Sequence, residues 1–166
     1  MRRQYLIVLA ILFWAFGPSA MLAQTTIGFG GVPHDPDQPV DVTAESLTLD
    51  QSSGEVTFTG DVVVVQGDLR LAADEVRVRY SDDSGTTQVT EVRATGNVLV
   101  TRGTDAAEGE EAFYDVPAGI FRVTGNVVIV QGPTTIAGDR LVLDMNTGNG
   151  RVEGRVRTTL TPSENQ

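Results

Sequence analysis

Carboxylates are the side chains of this sequence whose type and spacing could support chemistry. Four of them, Glu45, Asp74, Glu110 and Asp139, each follow a small residue and precede an alternating apolar run. Paired carboxylates act as general acid and base only when two of them face each other across a cleft with shifted pKa values. Acids placed at the start of every strand instead favour a structural role, in which each caps the amides of a bend or bulge.

The other candidates for catalysis or metal binding are weaker. Segment 104–111 contains four acids, but neighbouring acids on a polar turn are usually solvated. Asp82 and Asp83 lie in an acidic loop without the spaced ligands of a calcium site. The only histidine, His34, lies among prolines, and the chain has no cysteine, which leaves no histidine- or thiolate-based site. We therefore predict a protein that is not an enzyme, with no catalytic residues, no metal and no cofactor.

The elements that position the four acids form a fourfold repeat. Its marker is a glycine before a valine-containing run, at Gly60, Gly96, Gly125 and Gly154, with separations of 36, 29 and 29 residues. A regular period of this length indicates a repeated supersecondary unit. The distances from the small residue of each acidic motif to the glycine are 16, 23, 16 and 16 residues. The second unit is longer by 23 − 16 = 7 residues and therefore carries an insertion, whose loop is 81–85.

Apolar and polar residues alternate within each unit, as in Leu47-Thr48-Leu49 and Val56-Thr57-Phe58. A period of two places one face of a strand on a core and the other in water. The turn-forming residues 51–54 predict a hairpin between these two strands. Abundant glycine and valine with few aromatic residues predict an all-β domain. The run Val62–Val65 is apolar on both faces, which requires cover on both sides or an exposed apolar edge.

The two ends of the chain differ from the repeat region. Arg2 and Arg3 precede an apolar run of about a dozen residues, which is typical of a secretory signal peptide. Removing these two arginines changes the net charge from −10 to −12, which disfavours nucleic acid and anionic membrane surfaces as partners. We predict a signal peptide at 1–23, a flexible leader at 24–39, a β domain at 40–160 and a polar tail at 161–166.

Four segments downstream of the signal peptide form a recognisable pattern: Asp37–Val40, Ala44–Leu47, Val56–Val62 and Leu71–Val76. This pattern resembles the OstA-like family of periplasmic lipopolysaccharide-transport proteins, often called the LptA family. The resemblance extends over roughly residues 37–158. It implies a twisted, open β-jellyroll built from repeated antiparallel strand pairs, whose two sheets enclose an apolar channel for lipid A acyl chains.

The resemblance also implies how such a protein works. It implies a periplasmic location, no covalent chemistry, and head-to-tail stacking through edge strands into a homo-oligomer that bridges the inner and outer membranes. The implied partners are lipopolysaccharide and other transport components at the two membranes.

Residues that alternate toward the inside are the predicted lining of the channel. The same periodicity describes an ordinary core, so the sequence leaves both interpretations open. The chain contains no lysine, so phosphate contacts at a channel mouth would fall to arginines, of which Arg70, Arg77 and Arg79 lie nearest the first units. The predicted lipid-binding residues are Leu47, Leu49, Val56, Phe58, Val62, Val64, Leu69, Leu71, Val76, Val78, Val98, Val100, Phe121, Val123, Val127, Ile129, Leu141 and Leu143.

Two other functions are consistent with the repeat. A membrane-anchored, LptC-like member of the same pathway would keep its N-terminal segment as a helix, and finding Gln24 at the mature N-terminus would exclude it. A structural β-repeat protein that binds no lipid would use its units as a stiff rod, although the four imperfect units found here are few for that role.

Overall fold

The computed structural model describes residues 38–83 and 86–161. These residues form one antiparallel sheet of ten strands and no helix, which confirms the predicted all-β, open jellyroll architecture. The predicted signal peptide, nearly all of the leader and residues 162–166 lie outside the described residues. The strands are β1 (Asp41–Thr43), β2 (Ser46–Asp50), β3 (Glu55–Gln66), β4 (Leu69–Asp83), β5 (Thr86–Arg102), β6 (Asp105–Asp115), β7 (Ile120–Gln131), β8 (Thr134–Asp144), β9 (Asn149–Glu153) and β10 (Arg157–Leu160).

Each edge of the sheet is made of two short strands. Strands β3 to β8 pair with their neighbours in chain order. At the N-terminal edge, β2 pairs with the first half of β3 and β1 with its second half. At the C-terminal edge, β10 pairs with the first half of β8 and β9 with its second half. The predicted hairpin across residues 51–54 is the β2–β3 pair, so that prediction is confirmed.

A row of bulges crosses the sheet and divides it into two halves. We call the half that contains β2 and β9 the first half, and the half that contains β1 and β10 the second half. The pairing register shifts between adjacent strands all the way from β3 to β8 at this level. The repeating glycines lie in this row, with φ of +84° at Gly60, +77° at Gly96, +86° at Gly125 and +75° at Gly154. Glycine adopts this conformation without the Cβ clash that other residues meet, and a bulge bends the strand that carries it. The predicted bulges are therefore present at Gly60, Gly96 and Gly125, and Gly154 has the same positive φ between β9 and β10.

The side chains of the repeating acids lie next to these glycines, and in the last three units they accept hydrogen bonds from other side chains. Asn97 donates hydrogen bonds of 2.9 and 3.1 Å from Nδ2 to the Asp74 carboxylate. Asn126 donates one of 2.8 Å to Glu110. In the last unit the guanidinium of Arg155 is the donor, at 2.8 Å from Asp139. The sequence analysis expected backbone amides as the donors. In the last three units the observed donor is the side chain of the residue that follows the glycine, because that residue also has a positive φ and its side chain points toward the acid. In the first unit the residue in this position is Asp61, which is itself an acid.

One apolar core lies between the two halves of the sheet. Val62, Val123, Ile129 and Leu141 have no exposed surface, and they belong to a single cluster with residues from both sides of the bulge row. The bulges therefore bend the sheet so that its halves pack face to face, and we call the enclosed surface the inner face. Its row nearest the bulges in the first half runs through Leu47, Phe58, Val76, Ala94, Ala112, Val123, Leu141 and Val152.

The insertion in the second unit lengthens a hairpin instead of forming a loop of its own. Strand β4 continues to Asp83, and β5 begins at Thr86, so most of the predicted acidic loop is strand. The added pairs, from Tyr80 with Val89 to Asp83 with Thr86, lie beyond the last paired residues of β3 and β6. This extension is a two-stranded ribbon that projects from the sheet.

Candidate functional site

The inner face collects most of the predicted lipid-binding residues. Val62, Val76, Val98, Val100, Val123, Val127, Ile129, Leu141 and Leu143 are buried in the core. Phe58, Val64, Leu69, Leu71, Val78 and Phe121 are partly buried and pack against it, and Val56 is partly buried. Near Phe121, the ring of Tyr114 lies edge-on at 6.4 Å, and burial raises the pKa of the Tyr114 hydroxyl.

Two predicted residues are exposed. Leu47 and Leu49 are 60% and 56% exposed, although they pair with Phe58 and Val56 and so share the inner face. They are exposed because β2 is an edge strand that, among the described residues, pairs with β3 only. The apolar inner face therefore continues to the N-terminal edge and ends there in water.

The C-terminal edge also exposes apolar side chains. Leu160 pairs with Thr134, two residues before buried Ile136, and is 66% exposed. Val156, between β9 and β10, is 52% exposed. Both edges thus combine unpaired strand backbone with exposed apolar surface, which is the arrangement that favours pairing with another strand.

The two edges differ in charge. Residues 41–50 at the N-terminal edge contain Asp41, Glu45 and Asp50 and no base, a sum of −3. Residues 149–160 at the C-terminal edge contain three arginines and Glu153, a sum of 3 − 1 = +2. The edges of one molecule are therefore electrostatically complementary to each other.

The arginines predicted for phosphate contacts lie on the outer face, the surface opposite the core. Arg70 and Arg77 are exposed there, and Arg77 forms an ion pair of 2.8 Å with Glu75. Arg79 bridges Glu55 and Glu91 at 3.3 and 3.1 Å. Arg79 thus links β4 to both neighbouring strands, whereas Arg77 pairs within β4, and all three arginines point away from the inner face.

The sequence analysis missed an arginine on the inner face. Arg102 follows buried Val100 by two residues and is 9% exposed at the end of the core. Its Nε donates to both carboxylate oxygens of Asp68 at 3.2 Å. The period of two along β5 was the signal that could have located it.

A groove of about 340 Å³ lies on the outer face of the first half of the sheet. It is lined by Glu111, Phe113, Arg122, Thr124 and Arg140, which come from the adjacent strands β6, β7 and β8. No residue predicted to bind lipid lines it.

The acids of segment 104–111 lie on a strand and not on a turn. They alternate along β6, so Glu108 and Glu110 are exposed while Glu111 binds Arg93 at 2.5 Å. Among residues 38–83 and 86–161, no cluster of three or more acids or histidines could hold a metal ion. The same part of the chain contains no helix of sufficient length and apolarity to cross a membrane.

Comparison with known proteins identifies relatives. The family model described as LptA/(LptD N-terminal domain) LPS transport protein matches residues 41–149. The lipopolysaccharide export system protein LptA of Escherichia coli (strain K12) is 40% identical over 60 residues, which are 36% of this chain and 32% of that protein. An uncharacterised protein of Rhizobium meliloti (strain 1021) is 30% identical over 104 residues, 59% of this chain and 56% of its own. The alignment thus spans about a third to a half of these relatives.

A solved structure shares the fold. The crystal structure of LptH from Pseudomonas aeruginosa superposes with a TM-score of 0.68 at 22% identity, covering 78% of this chain and 100% of that one. LptH is named there as the LptA-homologous periplasmic component of the lipopolysaccharide transport device. At this identity the similarity establishes the fold alone.

Proposed function

The chain belongs to the LptA/(LptD N-terminal domain) LPS transport protein family, and we propose that it is a periplasmic transport protein that binds lipopolysaccharide. The observation that supports this best is the inner face, whose apolar core has residues from β3 to β9 and which ends in exposed Leu47 and Leu49. Lipid A acyl chains bind there and are shielded from water. The protein acts by binding, without covalent chemistry.

The energy of acyl-chain burial is sufficient for this role. Burying a methylene contributes on the order of 0.8 kcal/mol, so a dozen methylenes give roughly 10 kcal/mol before ordering costs. Release then depends on a neighbouring site of similar affinity. Head-to-tail stacking of molecules supplies one.

Lipid binding requires the two halves of the sheet to separate. Val62, Val123 and Leu141 have no exposed surface, so an acyl chain cannot contact them while the halves are packed together. Phe58 and Val56 are partly exposed beside the open N-terminal edge. Acyl chains therefore bind first at this edge and displace core contacts as they advance.

Assembly follows from the two edges. We propose that β9 and β10 of one molecule pair with β1 and β2 of the next, which covers the exposed Leu160 and Leu47 and brings opposite charges together. Repetition of this contact makes a homo-oligomer that bridges the inner and outer membranes. Other transport components at each membrane cap its ends.

The ends of the chain fit the same proposal. A signal peptide at 1–23 exports the chain, and the leader at 24–39 connects to a β domain at 40–160. N-terminal sequencing of the mature protein tests this, and we expect it to begin at Gln24. An intact N-terminus would contradict the proposal and favour a membrane-anchored protein.

Photo-crosslinking to lipopolysaccharide tests the site. A photoreactive residue is placed at Phe58, on the inner face, or at Thr57, its neighbour on the outer face. Both positions are partly buried, so they are matched in accessibility. We expect adducts at position 58 and none at 57. Equal labelling, or labelling at neither position, would overturn lipid binding on the inner face.

A further inference from the structure

Arginines are concentrated on the outer face of the first half of the sheet. One cross-strand row there contains Arg77, Arg93, Phe113, Arg122, Val142 and Arg151 on successive strands. This concentration is unusual in a chain of net charge −10 with 22 acids and 12 bases. Most of these arginines form ion pairs with glutamates, so a ligand is not needed to explain why they are there. The groove around Phe113 is the exception.

The groove is lined by two arginines and one acid, Glu111. Glu111 is already bound by Arg93 at 2.5 Å. Within the described parts of the chain, Arg122 has no carboxylate at ion-pair distance, and its guanidinium carbon lies 5.8 Å from the centre of the Phe113 ring. Stacking on an aromatic ring leaves the in-plane N–H donors of a guanidinium available to an anion.

Arg140 is the second available cation. Its partner Glu153 is 3.6 Å away, whereas Arg151 binds the same carboxylate at 2.7 Å. The hydrogen bond from Arg151 is the main reason that the pKa of Glu153 is lowered. Arg140 can therefore turn to a ligand without leaving Glu153 unpaired.

The polar lining residues occupy neighbouring positions on β7 and β8. Thr124 pairs directly with Arg140, and Arg122 is two residues before Thr124 on β7. Diagonal neighbours of this kind are about 7–8 Å apart, within reach of long side chains. Two guanidiniums and one hydroxyl thus line the same groove. The Phe113 ring beside them has the guanidinium carbons of Arg93 and Arg122 at 5.1 and 5.8 Å from its centre.

We propose that this groove binds the phosphate group of a phosphorylated sugar. A phosphate monoester presents three acceptor oxygens, which match the donors of Arg122, Arg140 and Thr124, and a carboxylate presents only two. The sugar ring lies along the groove beside the edge of Phe113, because the guanidiniums of Arg93 and Arg122 lie over the ring itself. A groove of about 340 Å³ suits a ligand of monosaccharide size. The site lies on the opposite side of the sheet from the proposed lipid-binding face, so it is a separate site.

Nuclear magnetic resonance tests the proposal through the arginine Nε–H signals. Mature protein is titrated with N-acetylglucosamine 1-phosphate, and in parallel with N-acetylglucosamine and with inorganic phosphate. We expect saturable shifts of the Arg122 and Arg140 signals with the sugar phosphate, weaker binding of inorganic phosphate, and no shift with the uncharged sugar. No saturable shift, or equal shifts with the uncharged sugar, would overturn the proposal. Equal affinity for inorganic phosphate would overturn the contribution of Phe113.

A matched pair of variants separates the site from general surface charge. Arg122→Gln should weaken sugar phosphate binding at least about tenfold, because it removes a charge-assisted hydrogen-bond donor. Arg77→Gln removes the same charge from the same row outside the groove and should leave the affinity unchanged. Backbone amide spectra of both variants confirm that they are folded. Equal losses in the two variants would show a nonspecific charge effect and overturn the site.

Micellar diphosphoryl lipid A identifies the source of the phosphate. Shifts at Arg122 with the lipid as well as with the free sugar phosphate would assign the groove to a lipid headgroup. Shifts at Arg122 with the free sugar phosphate alone would assign it to a soluble ligand. Signals of Phe58 report the inner face in the same titration, so failure of lipid binding there is distinguishable from failure of the groove.

Discussion

At the residue scale, the repeating glycines adopt positive φ values that other residues rarely adopt. Gly125 has a φ of +86°, and a Cβ on it would lie 2.6 Å from the Cβ of Glu110. Gly125→Ala therefore combines a left-handed backbone penalty with a steric clash. We expect it to lower the free energy of unfolding by about 2–3 kcal/mol, measured by urea denaturation.

Gly132 provides the control for this prediction. It also has a positive φ, of +52°, but a Cβ there would meet nothing within 4 Å. Gly132→Ala should lower the free energy of unfolding only through the left-handed backbone penalty, by about 1 kcal/mol. Equal costs at the two glycines would show that the contact with Glu110 does not contribute.

A carboxylate in the β2–β3 turn has a pH-dependent role. The Ser52 hydroxyl donates to Asp50 at 2.6 Å and the Ser52 amide at 2.8 Å. These bonds, with one from the Ser53 hydroxyl, lower the pKa of Asp50 from 3.8 to about 2. Because the folded pKa lies below the unfolded one, Asp50 stabilises the fold fully above pH 3.8, and this contribution is lost as the pH falls toward 2.

The test compares the wild-type protein with Asp50→Asn. We expect the stability difference between them, measured as urea midpoints, to shrink as the pH is lowered from 5 through about 3. Carbon-13 titration of the Asp50 carboxyl should give the low pKa directly. A midpoint near the ordinary value, or a difference that is independent of pH, would contradict the turn geometry.

At the scale of elements, period and turn chemistry predicted the strands well. The β2–β3 hairpin, the bulges at Gly60, Gly96 and Gly125 and the buried side of each core strand follow from local patterns within the repeats. Exposure at Leu47 and Leu49 did not follow, because alternation assigns a face but cannot say whether another strand covers it. Cross-strand neighbours such as Phe113 and Arg122 also required the pairing register, which the sequence alone leaves open.

The ribbon at the end of β4 and β5 is an element whose removal can be tested. Residues 81–83 pair only with residues 86–88 in this sheet, and the Tyr80–Val89 pair precedes them. Replacing 81–88 by Asn-Gly places a two-residue type I′ turn after that pair. We expect the free energy of unfolding to change by less than about 0.5 kcal/mol, since core contacts are retained.

Leu141→Ala is the comparison variant for the free energy of unfolding of the shortened ribbon. Leu141 has no exposed surface in the core, and its truncation should cost about 2–5 kcal/mol. A loss of comparable size on shortening the ribbon would mean that the insertion supports the sheet. That result would also contradict the interpretation of the insertion as an addition to a regular repeat.

At the scale of the whole molecule, the two edges determine what the fold can do. A bent sheet that stays open leaves an apolar, acidic edge at one end and an apolar, basic edge at the other. The repeat explains this, because each unit pairs with the next through the same kind of strand edge. Among the described residues, no strand covers the outer edges of the first and last units. The sequence predicted two unpaired edges; their opposite charge became evident only when β1, β2, β9 and β10 were located as the edge strands.

Charge exchange between edges tests the proposed assembly. Asp41 and Arg157 are exposed on β1 and β10, at opposite ends of the sheet. In head-to-tail stacking, Asp41→Arg or Arg157→Glu alone places like charges in every contact, so each variant should form smaller oligomers than the wild type. An equimolar mixture restores opposite charges in both kinds of contact, because each variant then lies between two copies of the other. We expect sedimentation velocity at low salt to show oligomers in the mixture as large as those of the wild type. If the mixture stays as small as the separate variants, or if the wild type is monomeric, the edges do not pair in this way.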